Sequence, residues 1–500
     1  MKILVIGLDC AAPELLLGDE RLTNLRRLMA AGAWGRLESV VPPITVPAWM
    51  CLATSQDPGS LGVYGFRNRT DRSYAKLGFA TSRSIQEPAI WDQLARSGKR
   101  SVIIGVPPSF PPRRVNGICV GCFLTPNPQT DAYTWPAEIK DEIAALVGEY
   151  EVDVKGYRTD RKAWLRDSIF RMSRKNFEVV RHYLAHAEWD YFQFVDIGLD
   201  RVHHGFWRYH DPLHVRHEAN PEFGTVVRDY YLHLDHEIGR LLELLDDETI
   251  VLVTSDHGAR RLDGGFCVNE WLVREKLLAL REYPGAVTPF AELAVDWGKT
   301  RVWSEGGYYA RVFLNVRGRE PEGLIAPGDY EGFRDDLKAR LEATVPGTLV
   351  FKPEEIYRAV RNIAPDLIVH FGGLAWRSIG GVGYTELTVQ ENDTGPDDCN
   401  HAQFGGFILA APNGGEALHG ELGGARLLDL APTLLELAGA EVPSSMQGRS
   451  LAGGEGTPRR KDAKTQGRDG GTGGGDQGEG ALTPEGERII RERLSGLGYI

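Results

Sequence analysis

The sequence contains no apolar run approaching the roughly 18 residues that a membrane-spanning helix needs. Its amino terminus, MKILVIGLDC, carries one lysine and a short apolar run but no small-residue cleavage site. It is expected to form a core strand rather than a signal peptide, and the expected location is cytoplasmic. Cysteine is scarce: six in 500 residues do not make a disulfide framework. The single CxxC, Cys119 to Cys122, lies in the strand-like GICVGCF with no second pair near it, which points to buried structural thiols rather than a closed zinc site. Basic charge is not in excess either. Lys and Arg number 57 against 69 Asp and Glu, a formal charge of −12 without long like-charge blocks. That argues against a nucleic-acid-binding face, while leaving room for a local positive pocket.

What is present is an ordinary globular composition, 42% hydrophobic and 25% charged. The length exceeds the roughly 250–300 residues at which single cores stop growing. Strand-like runs alternate with helical patterns: ILVIGLD then NLRRLMAAG, IWDQLARSG then SVIIGVP, and YYLHLDHEIGRLLELL then TIVLVTSDHG. This rhythm predicts an α/β fold, a mostly parallel central sheet with helices on both faces. Ligands bind such sheets at the carboxyl ends of their strands. Residues 67–180 and 272–350 are expected as cap insertions over a catalytic domain spanning 1–451. APDLIVHFGG (364–373) resembles another core strand, and RLLDLAPTLLELAG (426–439) a late core helix. The Gly-rich stretch 452–481 is expected to be a flexible linker, followed by a C-terminal helix over 482–500, with Thr483 as its N-cap and Pro484 at its first position.

The strands end in residues that bind metals. Asp256-His257 follows the apolar run Ile250–Val253, and Asp9 ends the first strand in the same way. Asp196 or Asp200 occurs where a third strand runs out. Asp200 and His204, at i and i+4 in DIGLDRVHHGFW, face one direction on a helix, with His203 the competing neighbour. His401 lies in CNHAQFGG. The blander readings are a helix N-cap for Asp9, a solvated helical pair for Asp200 and His204, and a loop residue for His401. Taken together, the segments favour a centre for two divalent metal ions about 4 Å apart, the arrangement that activates a nucleophile and stabilises a leaving oxygen at once. Mixed carboxylate and imidazole donors suit zinc, with manganese as the alternative.

Thr45, in PPITVPAW, is the candidate nucleophile. Pro42, Pro43 and Pro47 would hold a rigid turn into a helix beginning near Ala48, where Thr45 could also serve as a cap. Asn68, in GVYGFRNR, could donate its amide to a phosphate oxygen or simply occupy a turn. His210, His214, His217, His233 and His236 are expected on surfaces or helix faces.

The order Asp, Pro-x-Thr-x-Pro, Asp-x-x-x-His, Asp-His-Gly, late His resembles the alkaline phosphatase superfamily. Its nearest branch is the type I phosphodiesterase/nucleotide pyrophosphatase-like phosphohydrolases and phosphomutases, and the resemblance covers roughly residues 1–450. The resemblance implies one metal among Asp9, Thr45, Asp256 and His257 and another among Asp200, His204 and His401. It also implies a covalent phospho-threonine at Thr45. The stretch NDTGPDDCNHAQFGG (392–406) resembles a signature of bacterial and archaeal members, with Asp393 and Asp398 behind the ligands. Ile44 stands where related nucleotide pyrophosphatases carry a lysine. Thr45-Val-Pro47-Ala-Trp49 lacks the Cys or Ser of the sulfatase motif, and phosphoglycerate mutases use a serine and a distinct large insert. The expected function is therefore hydrolysis of a small-molecule phosphate ester, a diester foremost. The alternatives are a phosphomutase or phosphotransferase using the same site, and a non-catalytic binding protein on this fold.

Overall fold

The computed structural model describes residues 1–412, 414, 418–453 and 484–496. Its centre is a ten-stranded sheet whose innermost strands are largely apolar. Ile3–Leu8 runs parallel to Tyr191–Asp196 on one side and to Ile250–Thr254 on the other, and every residue of the three is buried. Fully buried, largely apolar strands of this kind belong inside a sheet covered on both faces. Ser101–Ile104 and Gly117–Val120 extend the parallel order beyond Tyr191–Asp196. On the opposite flank Phe404–Ala410 joins antiparallel to both Ile250–Thr254 and Ala33–Glu38.

Helices pack on this sheet in two groups. Thr23–Ala31, Lys162–His186, Gly198–His210 and Val226–Leu242 pack on one another, and Thr45–Thr54 packs with Leu430–Leu437. The close approach of Thr45–Thr54 depends on Gly7. A Cβ at that position would lie 2.6 Å from the Trp49 ring and 2.7 Å from Val195.

The stretch 67–180 is not one insertion. Ser101–Ile104, Gly117–Val120 and Thr134–Trp135 belong to the central sheet, because the run Val102–Ile104 is apolar on both faces and is buried there. Only the ribbon Arg67–Arg69 with Leu77–Phe79 forms a separate small sheet. A second hydrophobic cluster, drawn from residues 266–371, surrounds an antiparallel sheet ordered Val302–Glu305, Ala310–Leu314, Leu367–His370, Leu349–Phe351. Leu367–His370, expected in the main core, is therefore a strand of this second sheet. It pairs antiparallel with Ala310–Leu314 and with Leu349–Phe351.

Except for residues 452 and 453, the expected linker lies outside the described residues, as do Thr483 and 497–500. Pro484–Gly496 forms a helix whose Ile490 is buried in the main core. No helix among the described residues is long and apolar enough to cross a membrane.

Candidate metal centre

Asp9 follows directly on Ile3–Leu8, Asp256 and His257 lie just past Ile250–Thr254, and Asp200 occupies the first turn of Gly198–His210, the helix that follows Tyr191–Asp196. Three neighbouring parallel strands thus deliver their carboxylates to one edge of the sheet. His401 arrives by a different route. The short ladder between Gly258–Arg261 and Cys399–Ala402 sets His401 opposite Ala259, two residues from His257, and the rings of His257 and His401 stack at 3.9 Å.

Two groups of potential ligands result, each with its donor atoms within 4.8 Å of one another: Asp9, Asp256 and His257, and Cys10, Asp200, His204 and His401. The Thr45 hydroxyl joins the first group, 3.4 Å from Asp9 Oδ1 and 3.3 Å from His257 Nε2. Thr45 is the first residue of its helix, which begins three residues earlier than expected, so the cap position falls to Ile44 rather than to Thr45. Nor does Asp9 cap a helix, since the short helix that follows starts at Pro13 with Ala12 in the cap position. Asp196 ends its strand but points elsewhere, accepting hydrogen bonds from Tyr230, Ser173 and the Leu199 N–H.

The three histidines present the same nitrogen. His204 Nδ1 meets Asp397 Oδ1 at 2.6 Å, His401 Nδ1 meets the Pro43 carbonyl at 3.1 Å, and His257 Nδ1 meets the Gly258 carbonyl at 3.2 Å. With acceptors fixing the proton on Nδ1, each ring keeps an Nε2 lone pair for a cation. The carboxylates fit the same role. Asp200 Oδ1, fully buried, lies 3.3 Å from His204 Nε2 and 3.6 Å from His401 Nε2 without accepting an aligned hydrogen bond. Asp256 Oδ2 is 3.2 Å from His257 Nε2 and is likewise without one. Buried carboxylate oxygens left unsatisfied among acceptor nitrogens are costly unless a cation completes them. The donor set therefore fits divalent metal ions.

The electrostatics show the same demand for positive charge. Burial, reinforced by Asp200, raises the Asp9 carboxyl well above its ordinary range, and burial with Asp9 nearby does the same to Asp256. Burial also opposes ionisation of Asp200, but the charges of His204 and Arg201 hold its carboxyl well below the usual range. His257 and His401 are kept neutral by burial, the state a ligand requires, whereas at His204 the charge of Asp397 overcomes burial and favours the imidazolium, whose Nε2 proton a cation would displace.

Several partners are absent from the sequence reading. The residue behind His204 is Asp397, not Asp393 or Asp398. Asp393 lies 3.6 Å from Arg377, while Asp398 lies near Arg208 and Arg216. Tyr308 places its hydroxyl 3.3 Å from His204 Nδ1, and Trp49 Nε1 donates to Asp9 Oδ2 at 2.8 Å. Trp49 was within reach of sequence logic, lying four residues beyond Thr45 on the same helix face. Tyr308 and Cys10 carried no spacing signal. Asn68 is tied up in its own turn: its Oδ1 accepts from the Tyr64 N–H at 2.7 Å and its Nδ2 donates to the Gly65 carbonyl at 3.0 Å. His203 packs against Trp207 and Tyr231.

A cavity of ≈ 570 Å³ is lined by Ala12, Ala259 and Ala402, chain neighbours of the grouped residues, and carries Arg36, Arg260 and Arg261 together with Glu14 and Asp211, but neither Thr45 nor a grouped ligand lines it.

Comparison with known proteins bears on the fold and the family. No curated protein matches the chain in sequence. Among solved structures it is similar to human ectonucleotide pyrophosphatase / phosphodiesterase 5, with 15% identity, 89% of this chain and 96% of that chain covered, and a TM-score of 0.51. It is also similar to phosphonoacetate hydrolase from Sinorhizobium meliloti 1021 in complex with phosphonoacetate, with 16% identity, 88% and 95% covered, and a TM-score of 0.55. A third similar structure is an inactive threonine-to-alanine form of murine ectonucleotide pyrophosphatase / phosphodiesterase 5 in complex with AMP, with 14% identity, 89% and 96% covered, and a TM-score of 0.50. These likenesses establish the fold. The family model for type I phosphodiesterase / nucleotide pyrophosphatase matches residues 3–397, so the chain belongs to that family and is a metal-dependent phosphoric ester hydrolase.

Proposed function

We propose that the protein hydrolyses small phosphate esters, diesters foremost, at a two-ion centre through a covalent phospho-threonine at Thr45. The observation that carries this reading is the placement of the Thr45 hydroxyl within 3.4 Å of both Asp9 and His257, beside a second ligand group of Asp200, His204 and His401. Asp9, Thr45, Asp256 and His257 would hold one ion and Asp200, His204 and His401 the other. Two divalent cations so held would neutralise the phosphate oxygens and favour the alkoxide form of the threonine. Zinc suits the mixed imidazole and carboxylate donors, and manganese is second.

In the first step Thr45 Oγ1 bonds to phosphorus and the ester oxygen leaves with the alcohol, which takes up a proton. In the second, water attacks phosphorus, the threonine oxygen is released, and a diester has become a monoester. The murine neighbour, inactive as a threonine-to-alanine form and solved with AMP, supports both the nucleophile type and the ligand class.

The test is metal content of the purified protein together with turnover of bis-p-nitrophenyl phosphate and p-nitrophenyl phosphate. Two ions per chain with diester preferred is the expected result. Monoester turnover alone would replace the diesterase reading with a phosphatase or phosphotransferase. Absence of metal and of turnover after zinc or manganese is restored would overturn the reading altogether.

A further inference from the structure

We propose that Cys10 supplies a thiolate ligand to the ion held by Asp200, His204 and His401, which makes that position selective for zinc. The inference rests on the two-ion reading and adds a fourth donor to it. The Cys10 sulfur and the ligand atoms of Asp200, His204 and His401 lie within 4.8 Å of one another, and all four residues are buried. Asp200 Oδ1, aimed into the same space, accepts no aligned hydrogen bond, so the group is short of a cation independently of the cysteine.

The backbone explains how two adjacent residues serve two ions. Asp9 joins Asp256 and His257, whereas Cys10 joins the other group. Cys10 has φ 65°, in the left-handed region that favours glycine, and its N–H donates to Asp256 Oδ1 at 3.2 Å. This fork sends successive side chains to the two clusters. The Cys10 sulfur also lies 3.4 Å from the Gly258 carbonyl, the acceptor for its thiol proton. On coordination that proton passes to solvent and the sulfur keeps the electron pair that binds the metal, so no oxidant or reductant is needed.

A thiolate changes the metal preference. Soft sulfur ligands favour zinc over manganese or magnesium, and one carboxylate, two imidazoles and one thiolate complete the four donors of a tetrahedral zinc. The two positions are then unequal. Each has four protein donors, Cys10, Asp200, His204 and His401 in one and Asp9, Thr45, Asp256 and His257 in the other, but only the first contains sulfur, and either can expand to a fifth donor when a phosphate oxygen binds. A second thiol, Cys399, packs beside Cys10 and must be tested with it. Its sulfur lies 3.5 Å from His204 Nδ1, on the ring edge that bonds Asp397 rather than on the Nε2 edge that faces Asp200 and His401.

The experiment strips the full-length protein with a chelator, reloads it with Co2+ and records metal stoichiometry and the absorption spectrum. Wild type and Cys399→Ser should bind two cobalt ions and show a near-ultraviolet thiolate-to-cobalt charge-transfer band. Cys10→Ser should lose the band and favour manganese over zinc at least about tenfold more than wild type does. Cys10→Gly, which suits the positive φ, guards against a folding defect and should behave alike. Two bound cobalt ions with no charge-transfer band in wild type would overturn the Cys10 ligand and leave the two-ion centre standing. A band that survives in Cys10→Gly but vanishes in Cys399→Ser would overturn it in favour of the other thiol. Failure of any cobalt to bind would overturn the two-ion reading itself.

Discussion

Asp397 Oδ1 lies 2.6 Å from His204 Nδ1, with both side chains buried and Arg158 paired to the other carboxylate oxygen. Burial disfavours the Asp397 anion, but Arg158 and His204 hold its carboxyl below the ordinary range. A permanent anion there keeps the His204 proton on Nδ1 and orients Nε2 toward Asp200 and His401. Asp397→Asn removes that anchor and lets its amide donate to Nδ1, which drives the proton to Nε2, the wrong nitrogen for a ligand. Metal affinity should fall about 10–100-fold, read by calorimetric titration of stripped protein. An unchanged affinity would show that Asp397 only neutralises Arg158.

Removing the Thr45 hydroxyl tests the nucleophile while leaving Asp9, Asp256 and His257 to hold their ion. Thr45→Ala should lose at least about a thousandfold in kcat, because the covalent route disappears while those three ligands still hold their ion. Its stability should change by no more than about 1–2 kcal/mol, since one hydroxyl and one methyl are removed. Thr45→Ser keeps the hydroxyl and should retain measurable turnover. Acid quenching during turnover of a phosphorus-labelled diester should trap label on wild-type protein and none on Thr45→Ala; label on both would move the nucleophile elsewhere.

The parts of this centre that were legible in the sequence are those carried by strand ends. Asp9 and Asp256-His257 each follow an unbroken apolar run, and in a parallel sheet such positions converge whatever the loops do. Asp200 and His204 were legible from helical spacing. His401 could be named but not placed, because its approach depends on the pairing of Cys399–Ala402 with Gly258–Arg261, a long-range register that local pattern does not encode. Asp397 was hidden for a related reason: three aspartates lie within 393–398, and only the folded loop decides which one faces His204. The expected cap over 67–180 shows the same limit. SVIIGVP and GICVGCF both read as strands, but that Gly117–Val120 pairs with Ser101–Ile104 in the central sheet is a long-range register that local pattern does not encode.

Gly7 links sheet packing to the nucleophile. A Cβ there would lie 2.6 Å from the Trp49 ring, and Trp49 both anchors the Thr45 helix and donates to Asp9. Gly7→Ala should destabilise the fold by about 1–3 kcal/mol through overpacking. Because the displaced ring also carries the hydrogen bond to Asp9, kcat should fall as well. Urea denaturation and steady-state kinetics on the same preparation would check both. A stability loss with unchanged kcat would mean that the Thr45 helix adjusts without moving its first turn.

Asp196 gives a pH signature that is independent of the metals. It is fully buried at the end of its strand, and burial raises its carboxyl to about 6 from an ordinary 3.8 despite hydrogen bonds from Tyr230, Ser173 and Leu199. A carboxyl that protonates at higher pH when folded contributes stability that is complete below the unfolded value and is lost as pH rises through the folded one. The contribution should therefore be present below pH 3.8 and vanish above about pH 6, a change on the order of 3 kcal/mol across that window. Asp196→Asn cannot titrate, so wild-type stability minus variant stability should decline as pH rises from 4 to 7. Chemical denaturation of the two proteins at several pH values in that range supplies the difference. If the difference stays flat, the Asp196 carboxyl ionises in the folded protein much as it does in the unfolded chain, and its hydrogen bonds fully offset its burial.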